Sequence, residues 1–159
     1  MATLDNSIEI DAPPDRVWAA LARLDALDAY DPGVKKATLL EGPREGIGAR
    51  RQCDLLPKGW FRERVIDWVP GQSLAFELFE CSLPVKSLTH RYAIVPRGSG
   101  TVVRQRMEYR LKGGPLGQIM DALVVRRKWD AGVKGFFAGL KRHVESGSNR
   151  SPQSTAVVV

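Results

Sequence analysis

The feature that most constrains this chain is a run of strand-like segments between Val34 and Lys112, each bounded by a turn signal. The turn signals are "GPREGIG", "LPKG", "VPGQ", "SLPVKS" and "PRGSG", in which glycine and proline interrupt regular structure. The pattern predicts strands at residues 34–41, 48–56, 60–69, 73–81, 87–96 and 101–111. Because connections this short join antiparallel neighbours, we expect most of the chain to form one antiparallel meander.

Helical segments lie on both sides of this run. Before it, Ile8 and Ile10 alternate with polar residues and predict a first strand, followed by short helices in "PPDRVWAALARL" and "DALDAYDPG". After it, apolar residues at helical spacing predict one long amphipathic helix from Pro115 to about Ser146. Its apolar stripe comprises Leu116, Ile119, Met120, Leu123, Val133, Phe136, Phe137, Leu140 and Val144. This order favours an α+β fold in which a curved seven-stranded antiparallel sheet wraps around the long helix.

Length and composition narrow the class of protein. The 159 residues suit one domain, which we place at residues 1–146, with 147–159 as a flexible tail. No apolar run approaches the ~20 residues that span a bilayer, and the start lacks the features of a signal peptide. Cys53 and Cys81 show no metal or redox spacing, so we expect a cytoplasmic protein with reduced thiols. The net charge of +6 favours acidic partners without identifying one.

Alternation along the strands predicts which side chains face the core. In the last strand the apolar residues share one face with Gln105 and Tyr109, while arginines occupy the other face. The same test along the other strands gives the inward candidates Lys36, Arg51, Glu63, Phe76, Leu78, His90, Tyr92, Gln105, Met107 and Tyr109. Glu63 stands out because a buried carboxylate needs a partner, and Arg51 on the adjacent strand is the expected one.

Several sequence motifs resemble one known family. They are "IEIDAPPDRVWAAL", "GARR", "ERVIDWVPGQSLAF", "GSGTVV" and "GLKRHVES", in this order. With this spacing, about residues 4 to 146 resemble the START-like, or SRPBCC, superfamily of helix-grip proteins, in particular its polyketide cyclase/dehydrase branch. Many members carry a tryptophan in the second short helix, where this chain has Tyr30. The resemblance implies a ligand cavity between the concave sheet face and the long helix.

If such a cavity is present, the chemistry of the inward residues predicts their roles in it. A small hydrophobic or amphipathic molecule would bind, with Glu63 and Arg51 as polar anchor. The orienting groups would be His90, Tyr92, Gln105 and Tyr109, and the apolar contacts Phe76, Leu78 and Met107. If the protein is a cyclase or dehydratase, Glu63 or His90 is the base, and Tyr92, Gln105 or Arg51 stabilises the oxyanion. Alternatively, the ion pair and His90 are structural. The two histidines and two cysteines form no metal cluster, and no cofactor is implied.

The opposite sheet face supports a different hypothesis. The residues predicted to lie there are Arg50, Arg62, Arg64, Arg91, Arg104, Arg106 and Arg110, with Trp60 and Trp68 among them. Such a face could bind RNA, an anionic membrane or an acidic protein, or form a homodimer through the tryptophans. Alternatively, it is a solvated surface on which the arginines pair with Glu77 and Glu108.

Overall fold

The computed structural model describes residues 1–148 and confirms the predicted α+β order. The strands are β1 (Ala2–Ile10), β2 (Val34–Leu39), β3 (Arg50–Leu55), β4 (Trp60–Val69), β5 (Ser73–Cys81), β6 (Val85–Arg97) and β7 (Gly100–Leu111). They form one sheet in the order β1-β7-β6-β5-β4-β3-β2, and every pair is antiparallel. The sheet is therefore a meander from β2 to β7, with β1 added beside the last strand.

The helices occupy the predicted places, with one difference in the C-terminal helix. Helix α1 (Pro14–Ala22) begins with a proline, which has no N–H to leave unpaired, and a short 3₁₀ helix follows at Leu24–Ala29. After the sheet come α2 (Gly114–Met120), a π-helical turn (Asp121–Val125) and α3 (Arg126–Ser148). The predicted single helix is thus interrupted by the π-helical turn. Apart from Gly147 and Ser148, the predicted tail lies outside the described residues.

Helix α3 packs into the sheet and completes the expected helix-grip arrangement. Its buried side chains are Val133, Phe136, Phe137, Leu140 and Val144, all in one core cluster with residues of α1 and of the inner sheet face. The Tyr30 ring lies against Phe136, with the ring centroids 5.7 Å apart. Gly139 is needed at this crossing because a methyl group there would overlap the carbonyl oxygen of Tyr30.

The first half of the predicted apolar stripe is not part of the core. Leu116 is 74% exposed and Leu123 is 65% exposed, whereas Val133, farther along the helix, is 6% exposed. Ile119, Met120 and Val124 are exposed as well. Helical spacing identified the buried face of α3 correctly, but the large apolar side chains before α3 do not reach the interior. The turns before it lie against the end of β7.

The assignments of Lys36 to the inner face and of Trp68 to the outer face are wrong, and a β-bulge explains each. The register of β2 and β3 shifts between Val34 and Lys36, so that Ala37 is buried and Lys36 is exposed. The register of β4 and β5 shifts between Val65 and Asp67. Past that point Trp68 packs against the core, with its ring centroid 4.9 Å from that of Trp18, instead of lying on the outer face. An extra residue in a strand reverses the alternation beyond it.

Candidate functional site

A buried triad of charged and polar side chains lies at the centre of the inner sheet face. Arg51 on β3 and Glu63 on β4 are directly opposite each other in the strand register. The Arg51 Nε and Nη2 atoms lie 2.7 Å and 2.5 Å from Glu63 Oε1, so the expected ion pair is present. The other carboxylate oxygen, Oε2, is 2.7 Å from Nε2 of His90, which lies on β6 beyond the intervening β5. Both oxygens of Glu63 are therefore engaged.

Interactions within the triad offset the free-energy cost of burying its charged groups. Glu63 is 1% exposed and Arg51 is 5% exposed. Burial alone raises the pKa of Glu63, but the charge of Arg51 and the interaction with His90 outweigh burial and lower that pKa to about 2. Arg51 also donates a hydrogen bond of 3.1 Å from Nη1 to the carbonyl oxygen of Leu24. Glu63 is consequently an anion at neutral pH, and its charge is matched by that of Arg51.

Phe76 on β5 supports the triad without hydrogen bonding. The Arg51 guanidinium carbon lies 4.5 Å from the centroid of the Phe76 ring, a cation–π distance. The His90 ring is stacked on the same residue at 5.0 Å, with 18° between the ring planes. These contacts fix the planes of the Arg51 guanidinium and the His90 ring. The N–H groups at the edges of both planes remain available for hydrogen bonds to Glu63.

The bond to Glu63 sets the tautomer of His90. A carboxylate only accepts hydrogen bonds, so His90 Nε2 must carry the hydrogen. In the neutral ring, Nδ1 then holds a lone pair. This Nδ1 atom is buried, and no hydrogen-bond partner for it is found within residues 1–148. In this neutral form His90 is an oriented acceptor, and its Nδ1 atom is not used by the described part of the chain.

A similar situation exists at Gln105 on β7. Its Nε2 donates a hydrogen bond of 3.0 Å to the Tyr92 hydroxyl oxygen. Its Oε1 atom is buried and, in the described part of the chain, has no hydrogen-bond partner. Burial raises the pKa of Tyr92 well above its usual value, so this phenol stays protonated. Tyr92 and Gln105 therefore form a second neutral polar group beside the triad.

Both groups form part of the wall of a cavity between the sheet and α3. The cavity has a volume of about 240 Å³, and its polar wall includes Glu63, His90 and Gln105. The remaining wall is largely apolar, with Leu55, Phe61, Leu78, Leu88, Met107 and Phe136 among its residues. This volume lies below the ~300–1,000 Å³ of sites for drug-sized ligands, so it suits a smaller molecule.

The structure brings most of the predicted site residues together. The cavity wall contains Arg51, Glu63, Leu78, His90, Tyr92, Gln105 and Met107. Phe76 lies behind the wall, against Arg51 and His90. Tyr109 faces inward, but it lies outside the cavity wall, where its hydroxyl donates to Asp121 and its ring contacts Trp129. The exposed Lys36 lies on β2, away from this wall.

The long helix was expected to form one side of the cavity, but the residues of that wall were not identified from the sequence. This wall is formed by Lys128, Trp129, Gly132, Val133 and Phe136 of α3, and Leu27 of the 3₁₀ helix adds to it. Val133 and Phe136 were predicted only as members of the apolar stripe. Trp129 precedes them at helical spacing, which places it on the same face and could have identified it.

On the outer face, several arginines pair with carboxylates. Within the described residues these pairs are Arg62 with Glu80, Arg64 with Glu77, Arg91 with Asp67, and Arg106 with Glu108. The expected arginine pairs with Glu77 and Glu108 are therefore present. In residues 1–148, no helix is long and apolar enough to cross a membrane, and no group of three or more metal-binding side chains is found.

Comparison with known proteins identifies the fold and the family. A protein from Thermus thermophilus is 22% identical, with a TM-score of 0.79 over 92% of this chain and 99% of that one. A START superfamily protein from Mycobacterium smegmatis is 16% identical, with a TM-score of 0.73 over 91% and 97% of the two chains. The di-domain ARO/CYC StfQ of the steffimycin biosynthetic pathway is 17% identical, with a TM-score of 0.77 over 92% of this chain and 51% of StfQ.

These likenesses show the fold, and the sequence itself shows the family. No curated protein matches the chain significantly in sequence. A family model described as polyketide cyclase/dehydrase and lipid transport matches residues 1–145. The match extends from the first strand to the last turns of α3 and includes every residue of the triad. The chain therefore belongs to the polyketide cyclase/dehydrase and lipid transport family, with the START-like helix-grip fold.

Proposed function

We propose that the protein binds a small amphipathic molecule in the cavity between the sheet and α3. One observation carries this proposal: His90 Nδ1 and Gln105 Oε1 are buried in a largely apolar wall without hydrogen-bond partners in the described residues. A buried polar atom without a partner costs ~1–3 kcal/mol. A ligand hydroxyl or enol group would remove this cost, since it donates a hydrogen bond to such an acceptor.

The proposal differs from the sequence-based hypothesis in the choice of anchor. Arg51 and Glu63 satisfy each other, and Glu63 uses its second oxygen for His90. They therefore act on the ligand through His90, whose ring they hold in place. His90 and Gln105 are the groups that meet the polar end of the ligand. Leu78, Met107 and Phe136 contact its apolar part.

Binding can be tested with a matched pair of small aromatic probes. Naphthol carries a hydroxyl where its isosteric analogue methylnaphthalene carries a methyl group. We expect wild-type protein to prefer naphthol by about tenfold, because only naphthol hydrogen-bonds to the buried acceptors. Gln105→Leu should reduce this preference, measured by calorimetric or fluorescence titration. Gln52→Leu is the control, since Gln52 bonds to Asp54 and Arg62 away from the cavity. Equal affinity of wild-type protein for the two probes contradicts the proposal.

The orientation of His90 supports a second function, proton transfer of the cyclase or dehydrase type. A carboxylate-held histidine with a free lone pair is the arrangement of a general base. Glu63 is the weaker candidate because its pKa is lowered to about 2 and both its oxygens are engaged. In this account His90 Nδ1 removes a proton next to a ligand carbonyl. Gln105 or Tyr92 donates a hydrogen bond to the enolate oxygen that forms.

Proton removal can be measured without knowing the natural substrate. Tetralone, a bicyclic ketone, exchanges the hydrogens next to its carbonyl for deuterium once it is enolised. We expect wild-type protein to accelerate this exchange in D₂O, followed by NMR, and His90→Gln to lower the acceleration by about 100-fold. His143→Gln removes the other histidine of the chain, which packs on Tyr30, and should have no effect. Full acceleration by His90→Gln excludes His90 as the base.

A further inference from the structure

An exposed apolar face precedes α3. Its residues are Leu116, Ile119, Met120, Leu123 and Val124, each at least 40% exposed. Their spacing of three and four residues places them on one side of α2 and the π-helical turn. A contiguous apolar surface of this kind marks an interaction site more often than scattered single residues do.

The apolar face adjoins a basic depression. The depression has a volume of about 360 Å³ and is lined by Lys86, Arg110 and Lys112, together with the start of α2. Three exposed basic residues come directly after the apolar face in the sequence: Arg126, Arg127 and Lys128. Asp121 is the one acid among residues 112–128. It also lines the depression, where its carboxylate accepts a hydrogen bond from Tyr109 and the three basic residues outnumber it. The apolar face is thus bordered by positive charge at both ends.

This surface lies at the same end of the molecule as part of the cavity wall. Lys112 donates a backbone hydrogen bond to the carbonyl oxygen of Pro84, and Leu111 pairs with Val85. Leu83 and Val85 of that turn line the cavity, as do Lys128 and Trp129 at the start of α3. A partner on the apolar face would therefore adjoin residues of the cavity wall.

We infer that this surface docks on an anionic phospholipid bilayer. Apolar side chains flanked by lysine and arginine match the boundary between acyl chains and negatively charged headgroups. A second copy of the chain fits less well, because a two-fold interface at this face would bring the same basic residues together. The basic depression takes the lipid headgroups, and the apolar face enters the acyl boundary. The inference does not depend on which molecule the cavity binds.

Vesicle flotation with the full chain tests the docking surface. The vesicles consist of phosphatidylcholine with or without phosphatidylglycerol. We expect binding to the anionic vesicles that weakens with salt. Leu116→Gln with Leu123→Gln should lower the partition coefficient by at least about tenfold, because the apolar contribution is removed. Lys86→Gln with Lys112→Gln should lower it by about fivefold for each residue.

The control has the same loss of charge at two residues of β7 that do not line the depression. Arg104→Gln with Arg106→Gln changes the outer sheet face and should leave most of the binding intact. The inference fails if wild-type protein does not bind anionic vesicles at low salt, or if this control loses as much binding as the Lys86 and Lys112 variant. It also fails if the variant Leu116→Gln with Leu123→Gln binds anionic vesicles as well as the wild type does. The same holds if the only effect of these substitutions is to convert a dimer of the protein to a monomer. Binding that appears only after removal of residues 149–159 would assign the surface to the chain's own C-terminal segment.

Discussion

At the scale of single residues, Glu63 holds the site together. It neutralises Arg51 and orients His90, each through a different carboxylate oxygen. Replacing one member of a buried ion pair leaves the other without compensation, which typically costs about 3–5 kcal/mol. A Glu63 variant therefore changes folding stability as well as function, and it is a poor test of which residue is the general base. His90→Gln is the better test because its amide can still donate to Glu63.

We expect the two charged members of the triad to be strongly coupled. Glu63→Leu and Arg51→Met should each lower the free energy of unfolding by about 3–5 kcal/mol. The double variant should recover much of this loss, because neither buried charge then remains. Urea unfolding of the four proteins measures the coupling. Losses that simply add in the double variant would show that the two side chains act independently.

The lowered pKa of Glu63 also predicts how stability depends on pH. This pKa is about 2 in the folded protein and 4.5 in its usual range, so the unfolded chain binds the proton more readily. The corresponding stabilisation of about 3 kcal/mol is fully present above pH ~5 and is lost as the pH falls towards 2. Other carboxylates with lowered pKa values, Asp130 and Glu145, contribute to the same loss.

The double variant Arg51→Met with Glu63→Leu isolates the contribution of the triad. Its free energy of unfolding, measured by urea between about pH 6 and pH 3, should fall less steeply than that of the wild type. Identical pH profiles for the two proteins would show that Glu63 does not have the lowered pKa described here.

At the scale of secondary-structure elements, the packing is tested most directly where α3 contacts Tyr30, the residue after the 3₁₀ helix. A methyl group at Gly139 would overlap the backbone of Tyr30, so Gly139→Ala must move α3 away from it. We expect a loss of about 3 kcal/mol in the free energy of unfolding. Gly132→Ala is the matched control, since nothing lies within 4 Å of the added methyl group. It should stabilise the helix by about 0.5–1 kcal/mol. Similar thermal unfolding of both variants would contradict this packing.

The sequence predicted elements well where a single periodicity applies. Alternation placed Glu63, His90 and Gln105 on the inner face correctly. The register shift between Arg62 and Glu63 puts its extra residue in β5, so the alternation of β4 is intact at Glu63. Alternation failed for Lys36 and Trp68, where an extra residue in one strand reverses the faces. Bulges depend on pairing between strands, which a strand's own sequence does not reveal. The contact of His90 with Glu63 was also beyond reach, since their strands are not neighbours.

The helical stripe shows the same limit. Its spacing predicted an amphipathic helix but contained no information on which half meets the sheet. Leu116 and Leu123 fit the pattern as well as Leu140 does, although only Leu140 is buried. Which residues reach the core depends on where β7 ends and on the π-helical turn. Neither feature leaves a periodic signal.

At the scale of the whole molecule, the cavity, the triad and the basic apolar surface belong to one arrangement. The sheet holds the polar wall, α3 closes the cavity, and the helical segment before α3 carries the surface that we assign to the bilayer. An amphipathic ligand suits both places, since it partitions into membranes and fits a largely apolar cavity with a polar end. The central claim is that this cavity is a ligand site.

Native mass spectrometry of the full chain after gentle purification tests that claim most directly. We expect a species heavier than the chain by one small molecule, which is released on denaturation and can then be identified. The molecule should carry a hydroxyl, enol or carbonyl group, and Gln105→Leu should retain less of it than the Gln52→Leu control. Equal occupancy in Gln105→Leu and the control, or a chain that acquires no mass even after incubation with naphthol, would contradict the account.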